Sequence, residues 1–186
     1  MPPALNPLKR LRRRRSKTSK SEKLYGAIVA QARLPHFYRD LGIPDSLEGR
    51  FVVLSLHLFV VLRRLKQEGA AGAPLAQEVM DQFIADMDTV LRELGVSDLR
   101  VPKKMCALAG SVHALLETYD QAFTAGEAPL AAAIAANLPS QCEDAELSSE
   151  ALASYLMACA AALEREPLSA FTAGAIAFPE IGRLKR

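Results

Sequence analysis

Three histidines (His36, His57, His113), three cysteines (Cys106, Cys142, Cys159) and the two carboxylates of Asp86-Met87-Asp88 are the groups with which this 186-residue sequence could do chemistry. Nucleophilic catalysis would need a serine or cysteine beside a base, zinc chemistry a clustered set of His and Cys, and phosphate transfer a glycine-rich cradle. The histidines fall on three separate segments, and no HExxH, GxSxG, GxGxxG or Walker loop occurs. The expectation is a protein that is not an enzyme, with no catalytic residue, no metal site and no cofactor. His57 lies inside an apolar run and His113 beside an apolar stripe, positions where a histidine usually bonds a carbonyl in a core or at its rim. Cys106 and Cys159 fall on helical faces and are read as small hydrophobes. An odd cysteine count without CxxC spacing suggests neither a zinc knuckle nor a disulfide framework, and fits a reducing compartment. Asp86 and Asp88, two apart on a helix, point in different directions and are no carboxylate pair. They mark either a solvated face or an acidic rim for a basic partner.

The second chemical feature is electrostatic. Residues 1–20 hold eight basic side chains and no acid, leaving 15 basic against 21 acidic in the remainder, about −6. Arg10, Arg12, Arg13, Arg14 and Arg15 are candidate contacts for anionic lipid headgroups or nucleic-acid phosphate, with a partnerless solubilising tail as the plain alternative. No aromatics interleave with them, so base stacking is not supported. The basic cluster is followed by polar residues rather than a signal-peptide apolar region, which argues against export. The longest apolar run, Phe51 to Leu62, holds Ser55 and His57 and is bounded by arginines; a buried core helix fits it better than a membrane span.

The elements that must position these groups are helical. Ala and Leu dominate, Trp is absent and aromatics are 6% of the chain, a composition favouring an all-α fold. We expect a single compact domain of about six helices over 21–166, a disordered basic arm over 1–20, and an extension of unassigned structure over 167–186. Ser21 and Glu22 open a helix that Pro35 stops, and His36 to Leu41 makes a short helical turn. Asp45 or Ser46 caps the central helix. Residues 69–74 read as a flexible connector. Val79, Phe83, Met87, Val90 and Leu94 then mark an amphipathic helix ended by Gly95, and a fourth helix follows over about 99–125. A short Ala-rich helix spans 128–137, and Ser148 or Ser149 caps a sixth.

Leu41-Gly42-Ile43-Pro44-Asp45 with Gly49-Arg50-Phe51, Leu56-His57-Leu58-Phe59 with Leu62-Arg63-Arg64-Leu65, and the segment from Phe83 to Gly95 together resemble the ubiquinol-cytochrome c chaperone family. Lys103-Lys104-Met105, Tyr119-Asp120 and Leu130-Ala131-Ala132-Ala133 add to the match, and Cys142-Glu143-Asp144 looks like a weaker continuation. The resemblance implies a chaperone that binds newly made cytochrome b during assembly of the bc1 complex. By position it implies Tyr25, His57, Phe59, Arg63, Asp86, Asp88, Lys103, Lys104, Tyr119 and Asp120 as a partner-binding surface, with His57 and Tyr119 expected to be buried. The resemblance also implies a helical co-chaperone and proximity to the ribosome; a second copy of the chain is the alternative to the co-chaperone, and an anionic membrane surface or ribosome/RNA are the partners expected of the basic arm. The short chain and Arg-rich start are similar to a bacterial member, peripheral on the inner face of the inner membrane; a mitochondrial member would sit on the matrix side. The competing reading is an RNA- or ribosome-associated factor acting through the basic arm.

Overall fold

Ser19 sets the start of the first helix with a reciprocal cap: its Oγ accepts from the Glu22 amide at 3.0 Å while its own amide donates to the Glu22 carboxylate at 2.7 Å. The sequence places this cap at Ser21, which is instead buried. The computed structural model describes residues 19–180. Residues 1–18 of the expected disordered arm, with Arg10 and Arg12 to Arg15, lie outside them, while its last two, Ser19 and Lys20, are instead the cap and the first residue of the first helix. The described residues form α1 (Lys20–Ala32), α2 (Pro35–Arg39), α3 (Leu47–Gln67), a 3-10 turn (Gly69–Ala71), α4 (Ala73–Glu93), α5 (Val101–Ala125), α6 (Glu127–Ala135), α7 (Ala145–Leu163) and α8 (Leu168–Ala173). They make one compact all-helical domain, with no strand among them. No helix among the described residues is long and apolar enough to cross a membrane.

The apolar run of α3 becomes the centre of the molecule. Val52, Val53, Leu56, Leu58, Phe59, Val60, Val61 and Leu65 are all buried, so this helix is enclosed on nearly every side. α1, α4, α5 and α7 pack directly on it, α6 joins α5 to α7, and α8 closes against α1. Ser46 caps α3 through the Gly49 amide at 3.2 Å, as its sequence position suggests. The presumed flexible connector is instead a tight turn: after Gly69–Ala71, α4 starts at Ala73, with Pro74 in its first turn. The cap of α7 is Asp144, whose carboxylate accepts from the Leu147 amide at 3.1 Å. Ser148, expected there, is buried and donates to the Leu41 carbonyl at 2.6 Å, tying α7 to the loop before α3. In the C-terminal stretch Phe171 of α8 is fully buried, and Phe178 reaches the His57 ring with centroids 5.4 Å apart.

Two glycines separate packing constraint from helix propensity. A Cβ on Gly49 would fall 2.0 Å from the Pro44 carbonyl oxygen, whereas one on Gly110, exposed in mid-α5, would meet nothing within 4 Å. Gly49→Ala is expected to destabilise the protein by at least about 2 kcal/mol, and Gly110→Ala to stabilise it by about 0.5–1 kcal/mol, in urea unfolding followed by circular dichroism.

Candidate functional site

His57 anchors a polar relay inside the core. Its Nδ1–H donates to the Val53 carbonyl at 2.7 Å, which leaves Nε2 to accept from the Tyr155 hydroxyl at 3.0 Å. The Tyr155 oxygen in turn accepts from Gln31 Nε2 at 2.9 Å, so one chain of bonds joins α3, α7 and α1. Phe37 packs edge-on to both rings, at 5.1 Å from His57 and 5.5 Å from Tyr155. Burial lowers the His57 pKa to about 4 against a weaker raising effect of the Val53 hydrogen bond, so the ring is neutral. The neighbouring Cys159 thiol is pushed up to about 12 by burial, which keeps it protonated and unreactive. Cys106, by contrast, is exposed rather than packed as a small hydrophobe.

Adjacent arginines at the end of α3 turn to different neighbours. Arg63 pairs with Asp120 of α5 and lies 4.4 Å over the Phe123 ring, with Lys66 adding a contact to Asp120 at 3.5 Å. Arg64 pairs with Glu68 at 2.5 Å and donates to the Leu163 and Glu166 carbonyls at 3.0 and 3.2 Å, satisfying the C-terminal end of α7. Between α1 and α4, the Tyr25 hydroxyl donates to Asp86 at 2.8 Å; burial and this carboxylate push the phenol well above its ordinary range. Asp88 faces elsewhere and holds Arg92 at 2.6 Å.

Two open grooves flank α4. The larger, of about 690 Å³, takes Val29, Ala32 and Arg33 from α1, Tyr38 from α2, and Leu47, Glu48, Arg50, Phe51 and Leu54 from α3. Its other wall is Asp86, Met87, Val90, Leu91 and Glu93 of α4 with Leu94, and Leu108 and Leu115 of α5. No α4 residue beyond Phe83 is fully buried: Ile84 and Met87 still touch the core, and Met87, Val90 and Leu91 turn an apolar stripe toward the groove. The smaller groove, of about 430 Å³, lies over Phe59, Leu62, Met80 and Leu116, with Arg63, Lys66, His113, Glu117 and Asp120 around it.

The residues singled out in the sequence are therefore distributed, not gathered. His57 and Tyr119 are enclosed, and Phe59 is a nearly covered floor residue of the smaller groove. Arg63 and Asp120 edge that groove, and Asp86 edges the larger one, held by Tyr25. Lys103 and Lys104 are exposed in the first turn of α5, where no acidic side chain offsets the helix dipole. The large groove as a unit escapes sequence reading, because its walls come from five helices with no fixed spacing between them. Only the α4 stripe of Met87, Val90 and Leu94 signals it.

A family model described as Ubiquinol-cytochrome C chaperone matches residues 39–178. The chain is 27% identical over 123 residues to the Ubiquinol-cytochrome-c reductase complex assembly factor 1 of Xenopus laevis, covering 66% of this chain and 62% of that protein. It is 26% identical over 123 residues to the factor of the same description from Mus musculus, covering 66% of this chain and 42% of that one. The chain thus spans less than two thirds of the length of these curated relatives. The crystal structure of the Cbp3 homolog from Brucella abortus superposes with a TM-score of 0.79 at 35% identity, over 96% of this chain and 99% of that one.

The buried relay makes stability acid-sensitive. An unfolded histidine protonates as pH falls through about 6.5, while folded His57 stays neutral until about 4. Stability is therefore full above the unfolded value and drops by about 1.4 kcal/mol per unit through that window. His57→Gln should be less stable than the parent at pH 7, with the gap narrowing by about 2–3 kcal/mol at pH 4.5 in urea titrations. A gap independent of pH would refute a buried neutral histidine.

Proposed function

The chain belongs to the ubiquinol-cytochrome C chaperone family, and from that premise we propose that it binds newly made cytochrome b and assists biogenesis of the ubiquinol-cytochrome c reductase complex. The family is one of chaperones and not an enzyme class. The observation that carries the finer reading is the large groove, where Val29, Phe51, Leu54, Met87, Val90 and Leu91 face open space. A newly made membrane subunit exposes apolar helices before its partners cover them, and such a helix seats in a groove by anchors at i, i+3 or i+4, and i+7. Methionine and leucine walls adapt to different side chains, which suits transient holding. The carboxylates of Glu48, Asp86 and Glu93 at the rim complement the basic loops that flank membrane helices, and Arg33 and Arg50 alternate with them. The chain works at the inner face of the membrane, brought there by the basic residues of the arm.

Val90→Asp places a charge on the groove wall without touching a buried position. The variant is expected to keep its helical spectrum, to lose photocrosslinking from position 54 to nascent cytochrome b, and to lower the cytochrome b haem signal toward that of a deletion strain. Glu150→Ala, exposed on α7, should behave as the parent. A deletion strain with normal cytochrome b, or a Val90→Asp protein that still crosslinks, would sink the proposal.

A further inference from the structure

The turn joining α4 to α5 projects into solvent. Every residue from Arg92 to Arg100 except Val96 is exposed. Leu99 is 95% exposed and Leu94 59% exposed, two of the five large apolar side chains left in water among the described residues. Arg100, Lys103 and Lys104 follow within about one helical turn, all exposed, and none makes an ion pair among the described residues. The local acid Asp98 is taken by Arg92, which also holds Asp88, so Glu93 alone stands against these three cations within the turn.

We propose that this turn is a docking surface for an anionic lipid bilayer, with Leu99 entering the headgroup boundary, Leu94 beside it at the edge of the large groove, and Arg100, Lys103 and Lys104 meeting lipid phosphate. Isolated leucines beside lysines are the pattern of a peripheral membrane contact, because the apolar side chains insert while the lysine stems lie along the boundary and keep their charges at the headgroups. A protein partner is the poorer fit, since interface cores favour aromatics and exclude lysine, and the turn from Arg92 to Lys104 holds no aromatic. Single-stranded nucleic acid would likewise want stacking rings. The inference extends the proposed membrane placement from the basic arm to the folded body. Its test contains no client, so its failure leaves the groove reading standing.

The full chain carrying Ser97→Cys in a Cys106→Ser background is labelled at position 97 with an environment-sensitive fluorophore and mixed with vesicles. Emission should rise and shift to the blue with vesicles of phosphatidylcholine and phosphatidylglycerol, but not with phosphatidylcholine alone. In flotation of the unlabelled protein, Lys103→Ala with Lys104→Ala should weaken partitioning about thirtyfold and Leu99→Ser about tenfold, with melting curves unchanged because all three side chains are exposed. The proposal is overturned by a chain that floats through its arm while the label stays unmoved, by equal response to neutral vesicles, or by RNA producing the same emission change. Failure to bind anionic vesicles at all would overturn it as well.

Discussion

A helix enclosed on nearly every side along its middle must find partners for its polar groups among its neighbours, and α3 places that demand on the whole molecule. His57 is the group that cannot be left unpaired, and its two ring nitrogens are satisfied by its own helix and by Tyr155. Because Tyr155 needs Gln31 in turn, the register of α1 against α7 is set through a side chain of the helix between them. Arg64 repeats the device at the end of α3, where its guanidinium meets the last carbonyls of α7 and stacks 5.6 Å over Phe171 of α8. The apolar contacts of the core supply most of the driving force, but they are tolerant of sliding; these bonds are not. The buried Ser55 hydroxyl finds no partner among the described residues, a cost the surrounding packing absorbs.

Above that core the molecule changes character. α4 starts as a core helix through Leu75, Val79 and Phe83, then continues as one wall of an open groove. α5 mirrors it, with Val112 and Tyr119 buried toward its end and mostly exposed positions near its start. The ion pairs of Arg92 with Asp88 and Asp98 brace the turn between them, a region where exposed pairs contribute little stability but fix direction.

Much of this was legible in the sequence where one principle acted alone. The 3.6-residue spacing of Val79, Phe83 and Met87 marks α4, Ser46 marks the start of α3, and the apolar run before Arg63, interrupted only by Ser55 and His57, marks the enclosed helix. Legibility failed where a residue suited to one local role was recruited by a distant partner. Ser148 looks like a helix cap, yet the Leu41 carbonyl takes its hydroxyl, and Asp144 caps instead. The Gly-rich stretch 69–74 looks flexible because composition does not reveal close packing, yet a Cβ on Gly72 would lie 2.1 Å from the Leu65 carbonyl oxygen. The candidate site residues scattered for a related reason: an ordered series of family-like segments records positions that matter, without distinguishing those that touch a partner from those that hold a core together.

The division of α4 into a locked half and an unburied half has an evolutionary consequence. Beyond Phe83 only Ile84 and Met87 still pack against the core, while Val90, Leu91 and Glu93 contribute to the groove wall, so substitution of these last three alters what the groove accepts while leaving the folded state nearly as stable as before. Recognition and foldability are thus written in separate stretches of a single helix. A lineage can track changes in the client it serves by drifting along the last three turns, under a much looser stability threshold than the first three impose.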